Sequence, residues 1–179
     1  MLTSMQESFS SLQFEEFETF KKTYGDNVNL FMEFELIGML VRIQDKTNML
    51  KIVLNKQKSI DESSVDYLTD IMNYSVLASI PLTMTDFTKN FTSQQEEFFR
   101  VVSDMTETQL KPDTYLSQLL DANRTFMKIF TVANNGVMYV GSDLDKTILK
   151  MALTNMHVYA GLLVLEIRKA KTASSTGLD

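Results

Sequence analysis

Apolar residues recur every three or four positions along most of this chain, and that period suits amphipathic helices rather than strands. Val65, Leu68, Ile71, Met72 and Val76, with Ser75 among them, make one such stripe, and Pro81 ends it. Phe31, Phe34, Ile37, Leu40 and Val41 make another, continued by Leu50, Val53 and Leu54. Phe9, Leu12, Phe17, Phe20 and Tyr24 form a third, and Tyr115, Leu119, Ala122, Phe126, Ile129 and Phe130 a fourth. Six glycines and two prolines among 179 residues leave few places to interrupt them. The expectation is an all-α bundle of about five to six helices, folded as a single domain over 1–179.

The helices are expected from Ser4 or Ser10 to Tyr24, from Asn29 to Asn55, and from Asp61 or Ser63 to Ile80. Further helices are expected from Ser93 to Met105, from Pro112 to Val132, and from Ser142 or Asp143 to Ala170. Gly25 suits a left-handed cap after the first. Gly38, in mid-helix, would let another helix approach closely or would be incidental, at a cost of about 1 kcal/mol against alanine. Ser93 and Glu96 stand in the order of a capping box. Residues 130–140 also read as a hairpin, because Asn135-Gly136 is a turn pair; a helix followed by a loop is the preferred reading. The tail, 171–179, is small and polar and is expected to be mobile.

Composition excludes several chemistries. There is no cysteine, so thiol nucleophiles, disulfides and thiolate metal sites are absent, and His157 is the only histidine. A Ser-His-Asp triad or a zinc site of several imidazoles is therefore not expected. His157 itself reads as a packed or surface helix residue. No glycine-rich phosphate loop of either familiar kind occurs. A net charge of −6 gives no extended grip on nucleic acid. The first eleven residues do not read as a secretory signal. Val158 to Ile167, the most apolar run, is too short for a membrane span, so a cytoplasmic protein is expected.

The charged residues of the middle helices are patterned. Glu62, Asp66 and Asp70 recur every four residues and so share one helix face, where like charges repel by a few tenths of a kcal/mol per pair. Such a face is either solvated or compensated by a cation. Oxygen-only donors suit a hard ion, Mg²⁺ or Mn²⁺. Glu62 has the further option of lying in a first turn against the helix dipole.

Arg42-x-x-Asp45-Lys46-x-Asn48-x-Leu50 followed by Asp61-Glu62-Ser63-x-x-Asp66-x-Leu68-x-Asp70-x-x-Asn73-Tyr74 resembles the core of the nucleotide modification associated domain 1 family of phage and bacterial proteins. Phe20-Lys21-Lys22-Thr23-Tyr24-Gly25-Asp26 resembles the same family's Lys-rich helix end and Tyr-Gly turn. The resemblance covers 17–80; the helical half over 81–170 matches no known pattern. In architecture it is similar to the all-α nucleotide pyrophosphohydrolases, the MazG and dimeric dUTPase group. That implies a MazG-like core in the first half, with additional C-terminal helices.

The implied activity is Mg²⁺-dependent hydrolysis of a nucleoside triphosphate to monophosphate and pyrophosphate, in phage-type nucleotide metabolism and in the host cytoplasm. The resemblance assigns metal binding to Asp45, Glu62, Asp66 and Asp70, with Asp45, Glu62 and Asp66 also catalytic. It assigns substrate binding to Arg42, Lys46, Asn73 and Tyr74; Tyr74 or a phenylalanine would stack on the base. It implies a homo-oligomer. Met49 stands where the family usually has a second basic residue, and the ExxE pair of the MazG enzymes is absent, Glu33 and Glu35 being wrongly spaced. Leu153-Thr154-Asn155-Met156 echoes Leu68-Thr69-Asp70-Ile71 without its acids. The alternative is a non-catalytic helical protein that binds a protein partner through its second half, or a nucleotide-binding accessory of DNA modification.

Overall fold

The structure is a computed structural model that describes residues 2–24, 35–57, 59–79, 82, 98–102, 104–105, 111–131 and 142–176. It is an all-α bundle. Its described elements are α1 (Leu2–Tyr24), α2 (Glu35–Gln57), a 3₁₀ turn (Glu62–Ser64), α3 (Val65–Ser79), α4 (Pro112–Thr131) and α5 (Asp143–Thr176). Residues 98–102 are also helical. The described residues contain no strand. The Gly25 cap, the capping box at Ser93, Pro81 and the 132–140 alternative lie outside the described residues.

The helix starts follow local chemistry. Asp61 caps the 3₁₀ turn, its Oδ1 accepting from Ser63 N at 3.0 Å. Ser142 caps α5, its Oγ accepting from Asp145 N at 3.0 Å. Pro112 opens α4, where its missing N–H costs nothing. The tail differs from expectation: α5 continues to Thr176, because Thr172 and Ser174 return their hydroxyls to the carbonyls of Arg168 and Ala170 rather than terminating the helix.

The C-terminal helix is the hub. α5 packs extensively against α4 and α3 and also against α1; α2 lies on α3 and touches α4. Leu149, Leu153, Met156, Ala160 and Val164 of α5 are buried with Leu68, Ile71 and Met72 of α3, and with Leu119 and Phe126 of α4. α5 also contains a window of mean hydropathy 1.5, long and apolar enough to cross a membrane by composition. This is a longer apolar stretch than the Val158–Ile167 run alone suggests. Its burial accounts for that composition, since 67% of the window is inside the bundle.

His157 is in that core. Its Nε2 lies 2.7 Å from Gln13 Nε2, and its Nδ1 lies 3.0 Å from Met72 O. Phe9 meets its ring edge-on and Phe98 lies tilted against it. Next to this network Gly161 lets α1 approach α5. A Cβ there would stand 2.6 Å from Phe9 Cε2 and 3.0 Å from Met72 Cε.

Candidate functional site at the junction of α1, α2, α3 and α5

α2 and α3 pack together. A direct polar link between them is Lys46 Nζ to Asp70 Oδ2 at 2.6 Å, both side chains about a third exposed. This joins the Arg42–Leu50 segment of α2 to the Asp66–Tyr74 segment of α3. Asp66 is exposed on the same helix as Asp70, and Arg42 is exposed on α2. Asp45, expected as a metal ligand, is exposed on the side of α2 opposite its buried residues Ile43, Thr47 and Leu50, so the structure does not bring it to Asp66 and Asp70.

Two helices that the sequence pattern did not implicate complete the cluster. Glu16 of α1 is half-buried, and Arg168 of α5 reaches it, with Nη2 3.3 Å from Glu16 Oε1. The same guanidinium places Nη1 2.8 Å from Glu15 Oε2. The Glu16 carboxyl is held above the usual carboxylate range. Burial is the largest cause and Arg168 opposes it; the negative charges of Glu15, Asp66 and Asp70 add to the rise. Glu16 therefore shares one field with Asp66 and Asp70. The only hint of it in the sequence is the Glu15-Glu16 pair interrupting the aromatic stripe of α1, and Arg168 carries no signal at all.

The remaining expected residues are distributed differently. Glu62 lies at the 3₁₀ turn and forms an ion pair with Lys171 of α5. Asn73 and Tyr74 are turned into the bundle, not toward solvent, because they fall on the part of α3 enclosed by its neighbours. Neither presents a surface to a nucleotide. Exposed aromatic surface lies instead on α1. An open groove of about 730 Å³ runs along that helix, with Phe14 and Phe99 among its walls and Glu15 at its edge. Phe14 is 66% exposed.

The donor chemistry suits a hard divalent cation, since every candidate ligand is a carboxylate oxygen. Positive charge already stands against two of them, from Lys46 on Asp70 and from Lys171 on Glu62. Among the described residues, no three acidic or histidine side chains lie close enough together to hold one ion as they stand. An ion entering at Asp70 would have to displace the Lys46 ammonium, which a long flexible stem allows.

Comparison with known proteins finds no matching family model, no similar curated protein and no similar solved structure.

Proposed function

We propose that this protein binds a nucleoside triphosphate at the junction of α1, α2, α3 and α5 and, with Mg²⁺ or Mn²⁺, hydrolyses it to the monophosphate and pyrophosphate. The observation that carries this reading is the Lys46–Asp70 pair, which sets the two halves of the charged pattern against each other across adjacent helices. Lys46 would compensate charge on the phosphates. A divalent cation on Asp66 and Asp70 would neutralise further phosphate charge and lower the pKa of a bound water. Water would attack the α-phosphorus, the bond to the bridging oxygen would break, and pyrophosphate would leave. Glu16 suits the role of proton acceptor, because its raised pKa brings it nearer neutrality. Such an activity belongs to cytoplasmic nucleotide metabolism.

The test is incubation with each canonical and modified dNTP plus Mg²⁺, read as pyrophosphate release, with binding followed by calorimetry. Turnover that is lost in Asp70→Asn supports the reading; neither release nor saturable binding removes it.

A second reading is a non-catalytic protein that binds a protein partner through its C-terminal half. Leu144 and Met151, two turns apart on α5, are 68% and 61% exposed and present an apolar face. A stoichiometric partner recovered from extract, and retained by Asp66→Ala and Asp70→Ala, would favour it.

A further inference from the structure

α2 carries apolar residues on its outer face as well as its inner one. Leu40, Ile43 and Leu50 are buried, whereas Ile37, Val41, Met49 and Ile52 are 39%, 49%, 38% and 45% exposed. At 100° per residue the four exposed residues fall on one broad stripe, with exposed Asp45 in its middle. The stripe is about 22 Å long at 1.5 Å per residue.

Its spacing is nearly the same read in either direction. Val41 and Met49 lie four residues either side of Asp45. Ile37 and Ile52 lie eight before it and seven after. A helix face of that kind is self-complementary when two copies run antiparallel about a two-fold axis at Asp45. Val41 of each copy then meets Met49 of the other, and Ile37 meets Ile52. This is the requirement for an isologous interface, in which one patch serves both partners. The charges agree with it. Two Asp45 carboxylates near the axis would repel, but exposed Arg42, one turn away on the same side of the stripe, is carried to the Asp45 of the second copy. We infer that the occupant of this stripe is a second copy of the chain, bound antiparallel through α2 with Asp45 at the two-fold axis. The inference does not depend on the nucleotide reading. A contact of one helix face is at the small end of specific interfaces, so a reversible dimer is expected.

The chain has no cysteine, which makes the register directly measurable. Asp45→Cys places one thiol at the axis, next to its own copy, and mild oxidation should give a covalent dimer. Ser117→Cys, exposed on α4, should stay monomeric under the same oxidation. Sedimentation equilibrium of the wild type from ~1 to ~200 µM should show reversible dimerisation. Val41→Glu and Ile52→Glu should each raise the dissociation constant at least tenfold, with helix content by circular dichroism unchanged. Arg42→Glu and Asp45→Arg should each weaken the dimer, and the double exchange should restore it. A wild type monomeric throughout that range, or Asp45→Cys crosslinking no faster than Ser117→Cys, overturns the proposal. So does a pair of glutamate variants that fold and dimerise as the wild type does.

Discussion

Gln13 of α1 and His157 of α5 meet in the core with 2.7 Å between their Nε2 atoms. The amide nitrogen can only donate, so the imidazole nitrogen facing it accepts, and the ring proton resides on Nδ1 and is donated to Met72 O at 3.0 Å. One neutral tautomer therefore links three helices. A protonated ring would set an N–H against the amide hydrogens of Gln13.

That relationship makes stability depend on pH. Burial lowers the His157 pKa from 6.5 to about 4, with the hydrogen bond to Met72 opposing the fall. The folded pKa lies below the unfolded one, so the unfolded chain binds the additional proton between these values. The contribution is complete above pH 6.5 and is lost as pH falls toward 4. Its full size is about 3 kcal/mol at 1.36 kcal/mol per unit. Glu16, whose pKa is raised, acts with the opposite sign through the carboxylate range. Urea unfolding at pH 7 and pH 5 should show the loss, and His157→Gln should flatten the profile over that interval.

Gly161→Ala should destabilise the fold. Alanine gains up to about 1 kcal/mol in a helix interior. Its Cβ, however, would stand 2.6 Å from the Phe9 ring, which is fully buried. Overpacking of this kind costs about 1–3 kcal/mol, so a net loss is expected. Phe9→Leu should cost stability alone and should cost less in the Gly161→Ala background. Additive effects in a thermal double-mutant cycle would contradict the contact.

Asn123→Ala should cost about 1–3 kcal/mol, more than an average polar substitution, because a buried hub is removed. The Asn123 side chain is 1% exposed, accepts from Lys51 Nζ at 2.8 Å and donates to Gln44 Oε1 at 3.2 Å. It joins α4 to α2. Asn123→Asp should be milder than alanine, since it keeps the acceptor for Lys51 and adds a compensating charge. Denaturant midpoints of the three proteins decide this.

Lys46→Ala separates structure from function. A partly exposed ion pair contributes under about 1 kcal/mol, so the melting temperature should move by a few degrees at most. If the junction binds a triphosphate, affinity should fall by at least tenfold in the same variant. A large loss of stability with unchanged affinity would make the pair structural only.

The helices were legible because their signals are local. Pro112, Asp61 and Ser142 act within a turn of themselves, and the apolar stripes of α3 and α4 report the faces they bury. That Thr172 to Thr176 continue the helix is not legible, because small hydroxyl residues can bond either to their own helix or to a turn, and the residue types do not say which. The four-residue spacing puts Asp66 and Asp70 on one face of α3, but it does not show that Lys46 of α2 pairs with Asp70. Glu16 and Arg168 are not legible either, since they stand 152 residues apart and nothing local distinguishes them from surface charges. Tyr74, which the resemblance assigns to a ligand, is buried; aromatic residues serve stacking and packing equally, and only the position of the neighbouring helices decides between them.

The placement of α5 has a consequence for how the chain is made. Met72 and His157 are separated by 85 positions, and Gln13 and His157 by 144. At roughly 5–20 residues per second, a ribosome delivers His157 about 4–17 s after Met72. During that interval the first three helices are made without the segment that covers their buried faces. The nascent chain therefore keeps apolar surface uncovered until α5 is synthesised.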